Sequence, residues 1–177
     1  MVDIRDLLAY NVAERHVFFK AFAELSWDEF TKNREASFHS IRNIFIHTLN
    51  ATEYWLDILQ EEKPYLWRKF EEYGTLKEIE DYMQKVENRM NLYLTSLSLQ
   101  NLKKEYKVSG RGSSLQDFEM KQKIGGCGKL EMLTAEDILV HIFEEEVHHR
   151  GELMALFWQM GIEPPVIGYP TKAKYLL

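Results

Sequence analysis

The chain has 177 residues, 45% of them hydrophobic and 28% charged, the balance of an ordinary globular domain with a full-sized core. Its formal net charge of −6 argues against a nucleic-acid binder, which carries a basic patch or stripe. The sequence has no run of about 18 apolar residues, no basic-then-apolar start of the signal-peptide kind, and only Cys127 to oxidise, so a cytoplasmic protein without a membrane span is expected.

Apolar residues recur at helical spacing over residues 3–25, through Ile4, Leu8, Val12, Phe18 and Phe22. Residues 27–37 are polar and read as a connector with a helical turn. A second helix is expected from about 38 to 60, ahead of Pro64, and residues 65–73 read as a short helix. Thr75 and Glu78 form a capping box that opens a third long helix over about 75–100. The region 102–133 changes character. Residues 104–108 and 119–124 alternate like strands, residues 110–114 and 125–128 carry turn signals, and residues 129–133 follow, so one small β-hairpin or meander is expected. Thr134 and Asp137 form a second capping box for a last helix over about 134–160, which Gly161 ends and Pro164 and Pro165 keep from continuing. The expected fold is all-α: a four-helix bundle in a single domain over 1–177, with a small β-hairpin inserted before the last helix.

Periodicity also sorts the histidines. A helix turns about 100° per residue, so each inward face can be computed. In the last helix Leu139, Ile142, Leu153, Leu156 and Phe157 define the apolar stripe; His149 falls within it and Glu145 at its edge, one turn earlier. In the second helix His47 shares a face with Ala51, Tyr54 and Ile58. Residues four apart on a helix face the same way, so Glu145 and His149 can grip one ion, and His47 would supply a third ligand from a neighbouring helix. Three protein ligands leave positions open, as in catalytic rather than structural metal sites. His16, His39, His141 and His148 lie off these faces.

Plainer readings exist for each residue. An inward histidine is commonly a hydrogen-bonded core residue, and Glu145 sits in an acidic run with Glu144 and Glu146 that could be a solvated patch. Glu146 and Arg150 are also four apart, near the middle of the apolar stripe, and read as a buried ion pair; its desolvation cost makes a place beside a polar active site plausible. Cys127 lies in a Gly-Gly-Cys-Gly turn whose glycines hairpin geometry explains, and Trp27, Trp55, Trp67 and Trp158 read as packing residues.

The two segments together resemble the DinB/YfiT-like superfamily. The first family motif reads here as His47, Ala51, Glu53 and Trp55. The second reads as His141, Glu145, Glu146, His149, Arg150, Gly151 and Glu152, and Gly161, Pro164 and Pro165 are similar to the family's end of the last helix. Two positions depart from the pattern. Glu145 stands where the family has a histidine ligand, and Glu152 where it has glutamine.

The resemblance implies a four-helix bundle holding one divalent metal ion, with His47, Glu145 and His149 as ligands. Because a carboxylate replaces an imidazole, preference moves toward Mn²⁺ or Fe²⁺, with Zn²⁺ and Ni²⁺ still competent. It implies a small-molecule substrate and, as the leading activity, metal-dependent transfer of a low-molecular-weight thiol of the kind found in Gram-positive bacteria, or a hydrolase. Glu146, Arg150 and Glu152 would orient substrate or ligands. A homodimer is expected, since the helices carry more apolar surface than one bundle needs. The competing expectation is a non-catalytic small-ligand or stress-response protein, or a structural dimer with a vestigial site.

Overall fold

The computed structural model describes residues 3–62, 68–109, 130–165 and 168–169. Each long helix begins where a short polar side chain satisfies a free backbone N–H of the first turn. Asp3 caps α1 (Ile4–Phe22), Ser26 caps the short α2 (Trp27–Thr31), and Ser40 caps α3 (Ile41–Leu59). Thr75 caps α4 (Leu76–Ser96), Ser98 caps the single turn α5 (Leu99–Leu102), and Thr134 caps α6 (Ala135–Gln159). A 3₁₀ turn spans Phe70–Glu72. Strands β1 (Glu105–Ser109) and β2 (Leu130–Thr134) pair antiparallel just before α6, with Tyr106 opposite Leu133. The expected all-α bundle with its small hairpin is therefore the observed fold.

The boundaries moved in three places. The second helix starts at Ile41 rather than 38, because His39 takes φ 72° and Ser40 caps the turn after it. The first helix stops at Phe22, three residues short of the expected end. The third helix ends at Ser96, since Leu97 is extended and Ser98 with Asn101 starts a new capped turn. Across the bundle, Arg5 donates to the carbonyls of Leu94 (3.4 Å) and Leu97 (2.5 Å), satisfying acceptors that the end of α4 leaves free. The end of α6 follows the sequence: Gly161 adopts φ 72°, its N–H meets Trp158 O at 3.0 Å and that of Ile162 meets Phe157 O at 3.0 Å, a Schellman closure. The expected strand over 119–124, the turns over 110–114 and 125–128, Cys127, Pro64 and Trp67 lie outside the described residues.

α3 packs against α6 and α4, and α6 against α1. The core is not continuous. One apolar cluster gathers Phe18, Phe22, Phe30, Phe45, Ile79 and Phe157. A second gathers Leu8, Trp55, Leu56, Tyr106, Ile138 and Ile142, and Tyr106 anchors the hairpin there by donating to Leu59 O at 3.1 Å. Buried polar and charged side chains occupy the same helices between these clusters: Asn11 and Arg15 on α1, His47 and Thr48 on α3, Glu87 on α4, Glu146 and His149 on α6. That polar band positions the site.

Candidate metal centre

α3 is the central helix, and even its polar flank is covered. Glu53 accepts from Lys85 Nζ at 2.7 Å and from the Tyr82 hydroxyl at 2.8 Å, and Asp57 accepts from Arg89 Nη1 at 2.6 Å. These charged clamps to α4 fix the rotation of α3, so His47 faces α6 with its side chain only 3% exposed. On α6, the side chains of His149 and Glu145 are 7% and 26% exposed, so the carboxylate forms the open edge of the pair.

The three side chains converge. The Nε2 atoms of His47 and His149 lie 2.9 and 3.2 Å from the same atom, Glu145 Oε1. The two rings meet edge to face, 4.7 Å between centroids. Ligand atoms of all three residues fall within 4.8 Å of one another, so the group could hold a metal ion. The hydrogen bonds from His149 and His47 outweigh burial and hold the Glu145 carboxyl far below the usual carboxylate range.

A further layer orients His149. Its Nδ1 sits 2.6 Å from Glu152 Oε2, and the Ser37 hydroxyl donates to that same oxygen at 2.9 Å. Burial alone would lower the pKa of His149, but the bonds to Glu145 and Glu152 outweigh it and raise the pKa. Glu152 is lowered in turn: its burial is outweighed by the bonds from His149 and Ser37. With Nδ1–H turned to Glu152, His149 offers a lone pair at Nε2, on the side of His47 and Glu145, once the proton it shares there with Glu145 is displaced. Phe38 forms the roof, stacked on His47 at 3.8 Å between centroids and edge-on to His149 at 5.4 Å.

Not every residue singled out in the sequence lands as expected. Glu146 is buried, but its partner is Arg15 of α1 rather than Arg150. The Arg15 guanidinium also reaches Glu87 Oε1 at 3.0 Å, and His16 Nε2 lies 2.9 Å from Glu87 Oε2. The wheel placed Glu146 correctly; its partner was missed because Arg15 lies 131 residues away and no spacing rule reaches across that distance. Arg150 instead lies over the Tyr10 ring, 4.8 Å from guanidinium carbon to centroid, and donates to Tyr10 Oη at 3.3 Å and Asn11 Oδ1 at 3.4 Å. His141, although it opens the second motif, rests edge-on against Trp55 at 5.1 Å. His148 is exposed; with His149 and Glu152 it forms a second group close enough to share an ion, overlapping the first at His149. Of the described tryptophans Trp55 is core, whereas Trp158 is 59% exposed.

The donor set suits a divalent cation: two imidazole nitrogens, one of them fixed in tautomer by a carboxylate, and an ionised carboxylate at the open edge. Comparison with curated proteins finds no match. The sequence model of the DinB family, however, matches residues 1–175, and with that match spanning almost the whole helical bundle the chain belongs to the DinB family.

Proposed function

We propose that the protein binds one divalent metal ion through His47, Glu145 and His149 and uses it in a metal-dependent reaction on a small molecule. The leading reaction is transfer of a low-molecular-weight thiol, with hydrolysis as the alternative within the same class. The observation that carries this reading is the meeting of both Nε2 atoms at one carboxylate oxygen, beneath an aromatic roof. A divalent ion there would supply Lewis acidity, lowering the pKa of a thiol or water beside it. The two-histidine, one-carboxylate set is competent for Zn²⁺ and suits Fe²⁺ or Mn²⁺; Ni²⁺ is a further candidate.

The protein's own groups have separable tasks in this reading. Glu152, held by Ser37, keeps the Nδ1 proton of His149 and aims Nε2 inward. Phe38 excludes water from the buried face of His47. Glu146 and Arg150 are each the chain neighbour of a ligand: Arg150 orients the substrate, while Glu146, taken up by Arg15, braces α6 behind the ligands. The working unit in this proposal is a cytoplasmic homodimer, supported by exposed Val140, Val147 and Trp158 on the outer side of α6. Light scattering at roughly tens of micromolar tests it, and a monomer there overturns the dimer.

Elemental analysis of protein purified without a metal-capturing tag tests the central claim, with one ion per chain expected. One observation favours a second reading, a non-catalytic protein with a vestigial site: Glu145 already satisfies both histidines by itself. Glu145→His separates the two. If wild type takes up metal, Glu145→Gln weakens it strongly and Glu145→His retains it, with preference moved toward Zn²⁺ or Ni²⁺. A wild type that stays metal-free while Glu145→His binds tightly establishes the vestigial reading.

A further inference from the structure

Arg150 stands out from every other cation near the centre. Arg15 is engaged by Glu87 and Glu146. The Arg150 guanidinium has no carboxylate oxygen within 4.0 Å among the described residues, and its two hydrogen bonds, at 3.3 and 3.4 Å, are long and go to neutral acceptors. Guanidinium carries five N–H donors in a fork that matches a carboxylate. Of the acidic neighbours, Glu146 turns to Arg15, and Glu14 bonds the Tyr10 hydroxyl that Arg150 also meets. A half-buried cation left this way has donors in hand for a ligand.

Arg150 also lines a space. A cavity of about 20 Å³ is walled by Arg15, Phe18, Thr48, Glu146, Arg150 and Leu153. That exceeds the roughly 10–15 Å³ a single water needs, and it is the scale of a planar carboxylate rather than a bulky anion. Arg15 lines the same cavity from α1, its own charge taken up by Glu87 and Glu146. The cavity is also in the right place. Thr48, Glu146 and Arg150 are the chain neighbours of His47, Glu145 and His149, so the space adjoins the candidate metal centre on the α1 side.

We infer that Arg150 is a carboxylate-binding subsite, and that the small-molecule substrate of this centre bears a carboxylate a few bonds from its reacting atom. Arg150 acts here as a specificity determinant, while Tyr10 and Asn11 hold its fork in place. The inference rests on the proposed metal centre for where the reacting atom lies, but carboxylate recognition itself needs no metal.

The test uses the full-length protein and three probes: mercaptoacetate, the neutral 2-mercaptoethanol, and acetate. In metal-loaded protein, calorimetry should show mercaptoacetate binding roughly tenfold or more tighter than 2-mercaptoethanol, the advantage of one charge-assisted pair. Arg150→Gln should erase that ratio, and Arg150→Lys should keep part of it. In wild type, acetate should compete with mercaptoacetate but not with 2-mercaptoethanol, a readout that needs no variant to fold; inorganic phosphate should compete no better than acetate. Equal affinity for the two thiols in wild type, or a ratio that survives Arg150→Gln, overturns the subsite. Should neither thiol bind, acetate titrated into chelator-treated protein decides: an Arg150-dependent response upholds the subsite and discards the thiol, whereas no response overturns the subsite itself.

Discussion

Two polar clusters lie side by side in the middle of this bundle, one residue apart along α6, and they are built on different chemistry. The cluster of Arg15, Glu87 and Glu146 is centred on a fixed charge, since a guanidinium stays protonated throughout the working range, with the His16 ring meeting Glu87 at its outer edge. The cluster of His47, Glu145 and His149 opens to solvent at Glu145 and rests on imidazoles, which exchange protons near neutrality. The first ties α1, α4 and α6 together. The second can trade protons for a cation. The comparison teaches that burial of charge is not by itself the mark of a functional site; what distinguishes the two is whether the charge is exchangeable.

The comparison breaks most visibly at His149. His149→Ala should abolish metal binding, while the exposed neighbour variant His148→Ala should leave the tight site intact, both followed by calorimetry; loss of binding in both variants would mean that the outer group of His148, His149 and Glu152 is the one that binds. In the closed cluster, Arg15→Met leaves buried Glu146 without its cation and Glu87 with His16 alone. It should destabilise the fold by about 3–5 kcal/mol in urea denaturation. A loss under about 1 kcal/mol would show that this cluster is not structural. Glu152→Ala, which frees the far side of His149, should weaken metal affinity by roughly 10–100-fold. Glu152→Gln, which keeps an acceptor, should cost less.

The smallest effect concerns acid. Burial would raise the pKa of Glu53, but the bonds from Lys85 and Tyr82 outweigh it and lower the pKa in the folded state. A depressed folded pKa means stabilisation that is complete above the unfolded value of about 4.3 and disappears as pH falls below it through the folded value. Glu53→Gln should therefore melt below wild type at neutral pH, and the gap in Tm should close as pH drops below about 4. A gap independent of pH would remove ionisation of Glu53 from the account.

The sequence revealed the fold where local rules operate. The caps at Thr75 and Thr134 and the stop at Gly161 need only neighbouring residues, and they stand as read. The metal candidates were legible for a similar reason: Glu145 and His149 are one turn apart, and His47 shares the apolar face of its own helix. What spacing could not show is the pairing of groups remote along the chain. Arg15 carries no signal that local spacing can read and Glu53 appears only as a motif letter, yet both are buried charges with partners on other helices. Phe38 was equally invisible, because its position depends on a loop in which Glu35 and His39 take positive φ, a conformation that carries no reliable residue signature.

That loop has a consequence for how such a centre diversifies. The candidate ligands stand on α3 and α6, where a shift of any one would force two apolar clusters to repack. The covering ring, Phe38, and the hydroxyl that steadies Glu152, Ser37, come from the connector before α3 instead. Connectors tolerate exchange and insertion far better than packed helices. A lineage can therefore keep its ion-gripping scaffold and change its chemical clientele by rewriting a few residues around positions 32–40.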